Sequence, residues 1–230
     1  MPPVDGRSAA QVPVPRPGPA PGGTSATVSD PGGTVDLMDA DAKTTLHRYL
    51  RRQREGLVGK LDGLDEYDVR RPLTGTGTNL LGLVKHVASV QVEYLGLVFG
   101  RPSPRELPWS APGVDRDADL WVPADESRAS ILDLWEHSAQ HADATVEALP
   151  LDAVGEVPWW TEPRTTLQAV LVHLLAEVAR HAGHADVLRE QLDGSTGLVA
   201  GDPNVPDRTA DEWAAFRGRI EQAAREVSGR

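Results

Sequence analysis

The chain has 230 residues, a formal net charge of −11, no cysteine and 40% hydrophobic residues. That length holds one good-sized core plus an extension. The acidic balance argues against nucleic acid as a partner, which calls for a basic stripe. Without thiols there are no disulfides, no thiolate zinc site and no cysteine nucleophile. Any metal must rest on His, Asp and Glu, and any sulfur chemistry must take its sulfur from a substrate. No apolar run is long enough to span a membrane and no apolar secretion core opens the chain, so a cytoplasmic protein with no membrane partner is expected.

Residues 1–37 read as a disordered tail, since runs such as Pro13-Val-Pro-Arg-Pro-Gly-Pro19 propagate neither helix nor sheet. Translation starting at Met38 is the alternative to a genuine extension. Residues 38–198 read as a helical domain and 199–230 as a C-terminal extension. A first helix is expected over Lys43–Leu64, its apolar positions including Leu46, Leu50, Leu57 and Leu61. Within it the basic run from His47 to Arg54 reads as a solvated face with His47 exposed. A second helix starts near Thr78 or Asn79, an N-cap candidate, and runs to Phe99, where Gly100 and Pro102 stop it. Residues 100–124, with five prolines besides Trp109 and Trp121, make a long stiffened crossover of the kind that carries function.

The third helix spans Ala124 to Leu149, with Ile131, Leu134, Trp135, Ala142 and Val146 inward. After Pro158-Trp159-Trp160 the fourth opens at Thr165 or Thr166 and continues to Leu192. A last amphipathic segment, Asp207 to Val227, gathers Trp213, Phe216 and Ile220 and adds a C-terminal helix. No stretch alternates as a strand does. Four long helices with one long crossover predict an all-α four-helix bundle.

On the fourth helix His173, Glu177, His181 and His184 follow at spacings of four, four and three, so they share one face. Neutral imidazoles with a carboxylate suit zinc, nickel, iron(II) or manganese. His86, on the second helix, is the candidate cross-helix ligand; its alternative is a histidine packed at the core edge. His137 and His141 project away from the inward residues of the third helix and read as surface residues. Trp109, Trp159 and Trp160 are candidate pocket walls, with core packing as the alternative. Arg180 is a candidate anchor for an anionic substrate, against a surface ion pair, and Asp186 is a candidate to orient a histidine or to pair with Arg189, the structural pairing being expected.

From about Thr44 to Gly197 the chain resembles the DinB-like four-helix-bundle metalloproteins, and most closely their actinobacterial branch of mycothiol-dependent transferases and maleylpyruvate isomerase. The matching text is Leu81-Gly-Leu-Val-Lys-His86-Val-Ala, Pro158-Trp-Trp160 and, above all, Thr166 to Asp186 with its His173, Glu177, His181 and His184. The resemblance implies a divalent metal on His86, Glu177 and His181, and a pocket or outer role for His184. It implies an enzyme in which a low-molecular-weight thiol, mycothiol, is carried by the metal as thiolate and attacks an electrophilic small molecule. His184 and Arg180 are then the catalytic candidates, Trp159 and Trp160 line the thiol or substrate pocket, zinc is the first choice of metal, and a homodimer is compatible. Two other readings stay open: a thiol-dependent isomerase of the maleylpyruvate type, and a non-enzymatic metal-binding stress protein. A di-iron carboxylate protein would need paired Glu-x-x-His motifs, which are missing.

Overall fold

A computed structural model describes residues 41–199 and 201–229; the tail expected over 1–37 lies outside them. Helix α1, Ala42–Gly59, starts at Asp41, whose carboxylate accepts the Thr44 N–H. It stops short of the expected Leu64. Gly63 takes a left-handed φ of 74°, and Asp65 then caps a separate short helix, α2, Glu66–Arg70. Asn79 caps α3, Leu80–Leu95, by accepting the Gly82 N–H. Ser127 does the same for α4, Arg128–Ala148, which therefore begins one turn later than Ala124.

Residues Val154–Glu156 (β1) and Arg164–Thr166 (β2) pair antiparallel around the Pro158-Trp159-Trp160 turn. No strand is expected here from the sequence, because three residues are too few to display a period of two. The hairpin leads straight into α5, Leu167–Asp193, capped by Thr166 and closed by Gly194 at a left-handed φ of 80°. A capping box of Thr209 and Glu212 opens α6, Ala210–Ser228, which buries none of its residues.

The long helices make an all-α four-helix bundle. Helix α1 packs on α5, and α3 packs on both α4 and α5. Of α3, only His86, Val90 and Glu93 are not buried, and their spacing puts all three on one face. The rest of the helix is core: Leu80, Leu81, Val84, Val87, Ala88 and Leu95 are essentially solvent-free.

The crossover is bound down along its length. Trp109 donates its indole N–H to Ser89 (2.9 Å), and its ring covers the Lys85 ammonium at 4.0 Å. Buried Lys85 also donates to Glu126 (2.8 Å) and to the Trp121 carbonyl. Asn79 donates to the Leu120 carbonyl, and Arg70 donates to the carbonyls of Val122, Pro123 and Glu126. Gly82 lets this strap come close: a Cβ there would stand 2.0 Å from the Leu120 oxygen.

Two expectations about the first helix change. His47 is not exposed; it bonds Asp143 of α4 at 2.8 Å. Arg54, assigned to a solvated face, is 3% exposed and pairs with Asp143 and Gln91. A buried guanidinium needs such partners, and they come from helices distant in sequence.

Candidate metal centre

Three side chains on two helices meet in the groove between α3 and α5. Glu177 and His181 are one turn apart on α5, with His181 Nε2 at 2.9 Å from Glu177 Oε1. From α3, His86 Nε2 reaches the same carboxylate oxygen at 3.6 Å. The two imidazoles stand edge to face, ring centroids 4.9 Å apart, and one donor atom from each of the three residues falls within 4.8 Å of the others. The side chains are 19%, 28% and 15% exposed, so the cluster opens on solvent at one side.

A fourth residue comes from the crossover. Asp119 Oδ2 lies 2.7 Å from His86 Nδ1. With Nδ1–H donating to this carboxylate, Nε2 is the nitrogen turned toward Glu177 and His181, the orientation a metal-ligating histidine requires. Nothing in the sequence marked Asp119. The only hint was its place in the acidic Asp115-Arg-Asp117-Ala-Asp119 stretch of a long loop.

Charge at the cluster is sorted by these contacts. Burial alone would lower the pKa of His86, but Asp119 and then Glu177 outweigh it and raise the value. Burial lowers His181; the His86 charge adds to this, and the bond from Glu177 does not make up the difference. Burial would raise Glu177, yet the two imidazoles bring it below its ordinary value, and His86 does the same for Asp119. The carboxylates are thus ionised and His181 is neutral near pH 7.

This donor set fits a divalent cation: two imidazole nitrogens and a carboxylate oxygen, too few to close a tetrahedral site. One oxygen of Glu177 stands 2.9 Å from His181 Nε2 and 3.6 Å from His86 Nε2, so the donor atoms already gather at one point.

The remaining candidates fall around this point. His184 is exposed, its ring 5.7 Å from that of His181. Arg180 is exposed too. His173 sits one turn before Glu177 and packs on Tyr94 and Trp160 at 4.9 and 5.1 Å. Trp159 and Trp160 both donate their indole N–H to the Tyr94 hydroxyl, at 2.9 and 3.0 Å, so the hairpin turn forms an aromatic wall at the far end of the groove. Trp160 is partly buried and Trp159 is 48% exposed.

His137 and His141 stay out of the cluster, and they are not free surface either. They lie partly covered by the crossover, bonded to Ser103 and to the Arg101 carbonyl at 2.7 and 2.8 Å. Asp186 pairs with Lys60 at 2.7 Å rather than with Arg189, whose guanidinium instead holds Asp193 and the carbonyls of Lys60 and Asp62.

Asp119→Asn is expected to weaken divalent-cation binding by roughly 10- to 100-fold, the usual cost of losing a carboxylate behind a ligating histidine. Competition against a chromophoric chelator measures it; an unchanged affinity would remove Asp119 from the centre.

A helical bundle with a long crossover, presenting one histidine from its second long helix and a Glu-x3-His pair from its fourth, defines the DinB-like class. The sequence model of the mycothiol S-transferases matches residues 45–194, and the chain belongs to that family. Among solved structures it is similar to a conserved protein of a locus from Enterococcus faecalis, with a TM-score of 0.53 and 16% identity over 67% of this chain and 99% of that one. At that identity the likeness speaks for the fold alone. No curated protein matches the sequence. Among the described residues no helix is long and apolar enough to cross a membrane.

Proposed function

We propose that this protein joins a low-molecular-weight thiol, mycothiol, to an electrophilic small molecule, using a divalent cation held by His86, Glu177 and His181. The observation that carries the reading is the convergence of these three donors from two helices, with Asp119 behind His86. A bound cation, zinc first and nickel, iron or manganese after it, supplies Lewis acidity that lowers the pKa of a thiol reaching it.

The chain's own residues do the rest. Asp119 keeps the His86 Nε2 lone pair aimed at the centre. His184, exposed and with its ring 5.7 Å from that of His181, takes the thiol proton in this reading as the sulfur forms its bond to carbon. Arg180 offers a cation to an anionic substrate at the mouth, and Trp159 and Trp160 give an apolar wall against which the electrophile packs. The thiol pool for such a reaction is cytoplasmic, and we place the protein there.

The test incubates the protein, loaded in turn with each cation, with mycothiol and a panel of activated alkenes, epoxides and halides. Adduct formation that disappears with a chelator and returns with one cation is expected. Full cation occupancy with no thiol consumed across the panel would make this a metal-binding protein instead.

A further inference from the structure

The three residues of α3 that escape burial form a line from the candidate centre to a second feature. His86 belongs to the centre, Val90 follows one turn on, and Glu93 stands about 10 Å from His86 along the helix axis, seven residues at 1.5 Å each. Beside Glu93, between α3 and the crossover, lies a crevice of about 400 Å³, within the range of small-molecule sites. Val92, Leu97 and Leu107 supply apolar walls, Glu93, Glu106 and Ser110 supply acceptors, and Arg105 supplies one guanidinium.

Glu93 accepts one hydrogen bond there, from the Ser110 hydroxyl at 3.2 Å. The nearby arginines of the crossover are engaged elsewhere, Arg105 with Asp133 and Arg101 with Thr145. Burial raises the Glu93 pKa more than the Ser110 bond lowers it. A half-sunk carboxylate that accepts a single hydroxyl hydrogen bond costs free energy.

The chemistry of the crevice is selective. Glu93 and Glu106 outnumber its one guanidinium, Arg105, which is already paired with Asp133, so the crevice disfavours carboxylates and phosphates. It suits a neutral ligand that donates several hydroxyl hydrogens and rests apolar edges on Val92, Leu97 and Leu107, which describes a sugar or cyclitol. We infer that the Glu93–Ser110 crevice is the subsite for the polyhydroxylated body of the thiol co-substrate, whose sulfur lies at the His86 end of the same face. The inference rests on the thiol-transfer reading above. It adds that discrimination among thiols is exercised about two helical turns from the sulfur.

The experiment separates the two claims by leaving the reaction out. The full chain is titrated with the thiol-free glycosyl-inositol portion of mycothiol, following tryptophan indole signals by NMR; Trp109 neighbours Ser110. The wild-type protein is expected to bind. Glu93→Ala should bind about tenfold more weakly or worse, the usual worth of a hydrogen bond to a charged group, and Glu93→Gln should fall between. Ser110→Ala should lose several-fold, and it carries the test if melting curves show that Glu93→Ala does not fold. No binding by the wild-type chain, or equal binding by the folded variants, overturns the subsite even if thiol transfer is observed. Sugar binding that depends on Glu93 in a protein that transfers no thiol would overturn the reaction and leave the subsite standing.

Discussion

Replacing His86 or Glu177 by alanine is expected to remove the bound divalent cation and thiol transfer together. A structural zinc site is worth roughly 10–16 kcal/mol, so each of three or four ligands carries about 3–5 kcal/mol, more than about 100-fold in affinity. The loss should be larger than for Asp119→Asn, which leaves all three donors in place and disturbs only how His86 is held. The fold should survive, because the three side chains are partly exposed and the core of α3 lies on its other faces. Elemental analysis of the purified variants, with adduct formation measured on the same samples, checks both halves. Stoichiometric cation in either variant would move the centre elsewhere. Cation lost with transfer intact would uncouple the metal from the reaction.

The second large effect is on stability. Asp143→Ala should destabilise the protein by about 3–5 kcal/mol, because it leaves the nearly solvent-free Arg54 guanidinium without its counter-charge. For a chain of this size that lowers Tm by roughly 6–20 °C, measurable by calorimetry. The effect has a pH signature. Burial would raise the pKa of Asp143, but bonds from His47 and the charge and bonds of Arg54 outweigh it and bring the value below the ordinary one. A depressed folded pKa stabilises fully above the unfolded value of about 3.9 and loses that contribution as pH falls through the folded value. The stability gap between wild type and Asp143→Ala should therefore narrow below about pH 4. A gap that is small at pH 7, or constant down to the acid limb, would mean that Arg54 finds other partners.

What could be read in advance follows the range of the interactions involved. Glu177 and His181 were legible because a spacing of four on a helix puts two side chains together whatever the rest of the chain does. His86 was legible only once a second helix was assumed to face the first. Asp119 was not, since the approach of a loop to α3 depends on Trp109, Lys85, Asn79 and Gly82 acting together, and none of these says in sequence which carbonyl or ring it meets. The same limit explains His47 and Arg54. An arginine-rich run on an amphipathic helix looks solvated until Asp143, 89 residues beyond Arg54, is known to lie beneath it. Asp186 failed for the opposite reason: a local partner, Arg189, was available, and Lys60, the residue that follows the packed α1, took its place. The hairpin was too short to show a pattern, yet it sets Trp159 and Trp160 over Tyr94.

The provenance of the groups around the groove carries a consequence for how such proteins diversify. His86, Glu177 and His181 stand on two long helices whose other faces are locked into the interior, so they tolerate little displacement. Asp119 and Ser110 come from the crossover, and the tryptophans come from the hairpin turn. These connections can change length and composition without unpicking the bundle. A graft of another relative's crossover or hairpin would then change the groove's surroundings while the candidate centre persists, whereas an exchange of either long helix would put both at risk.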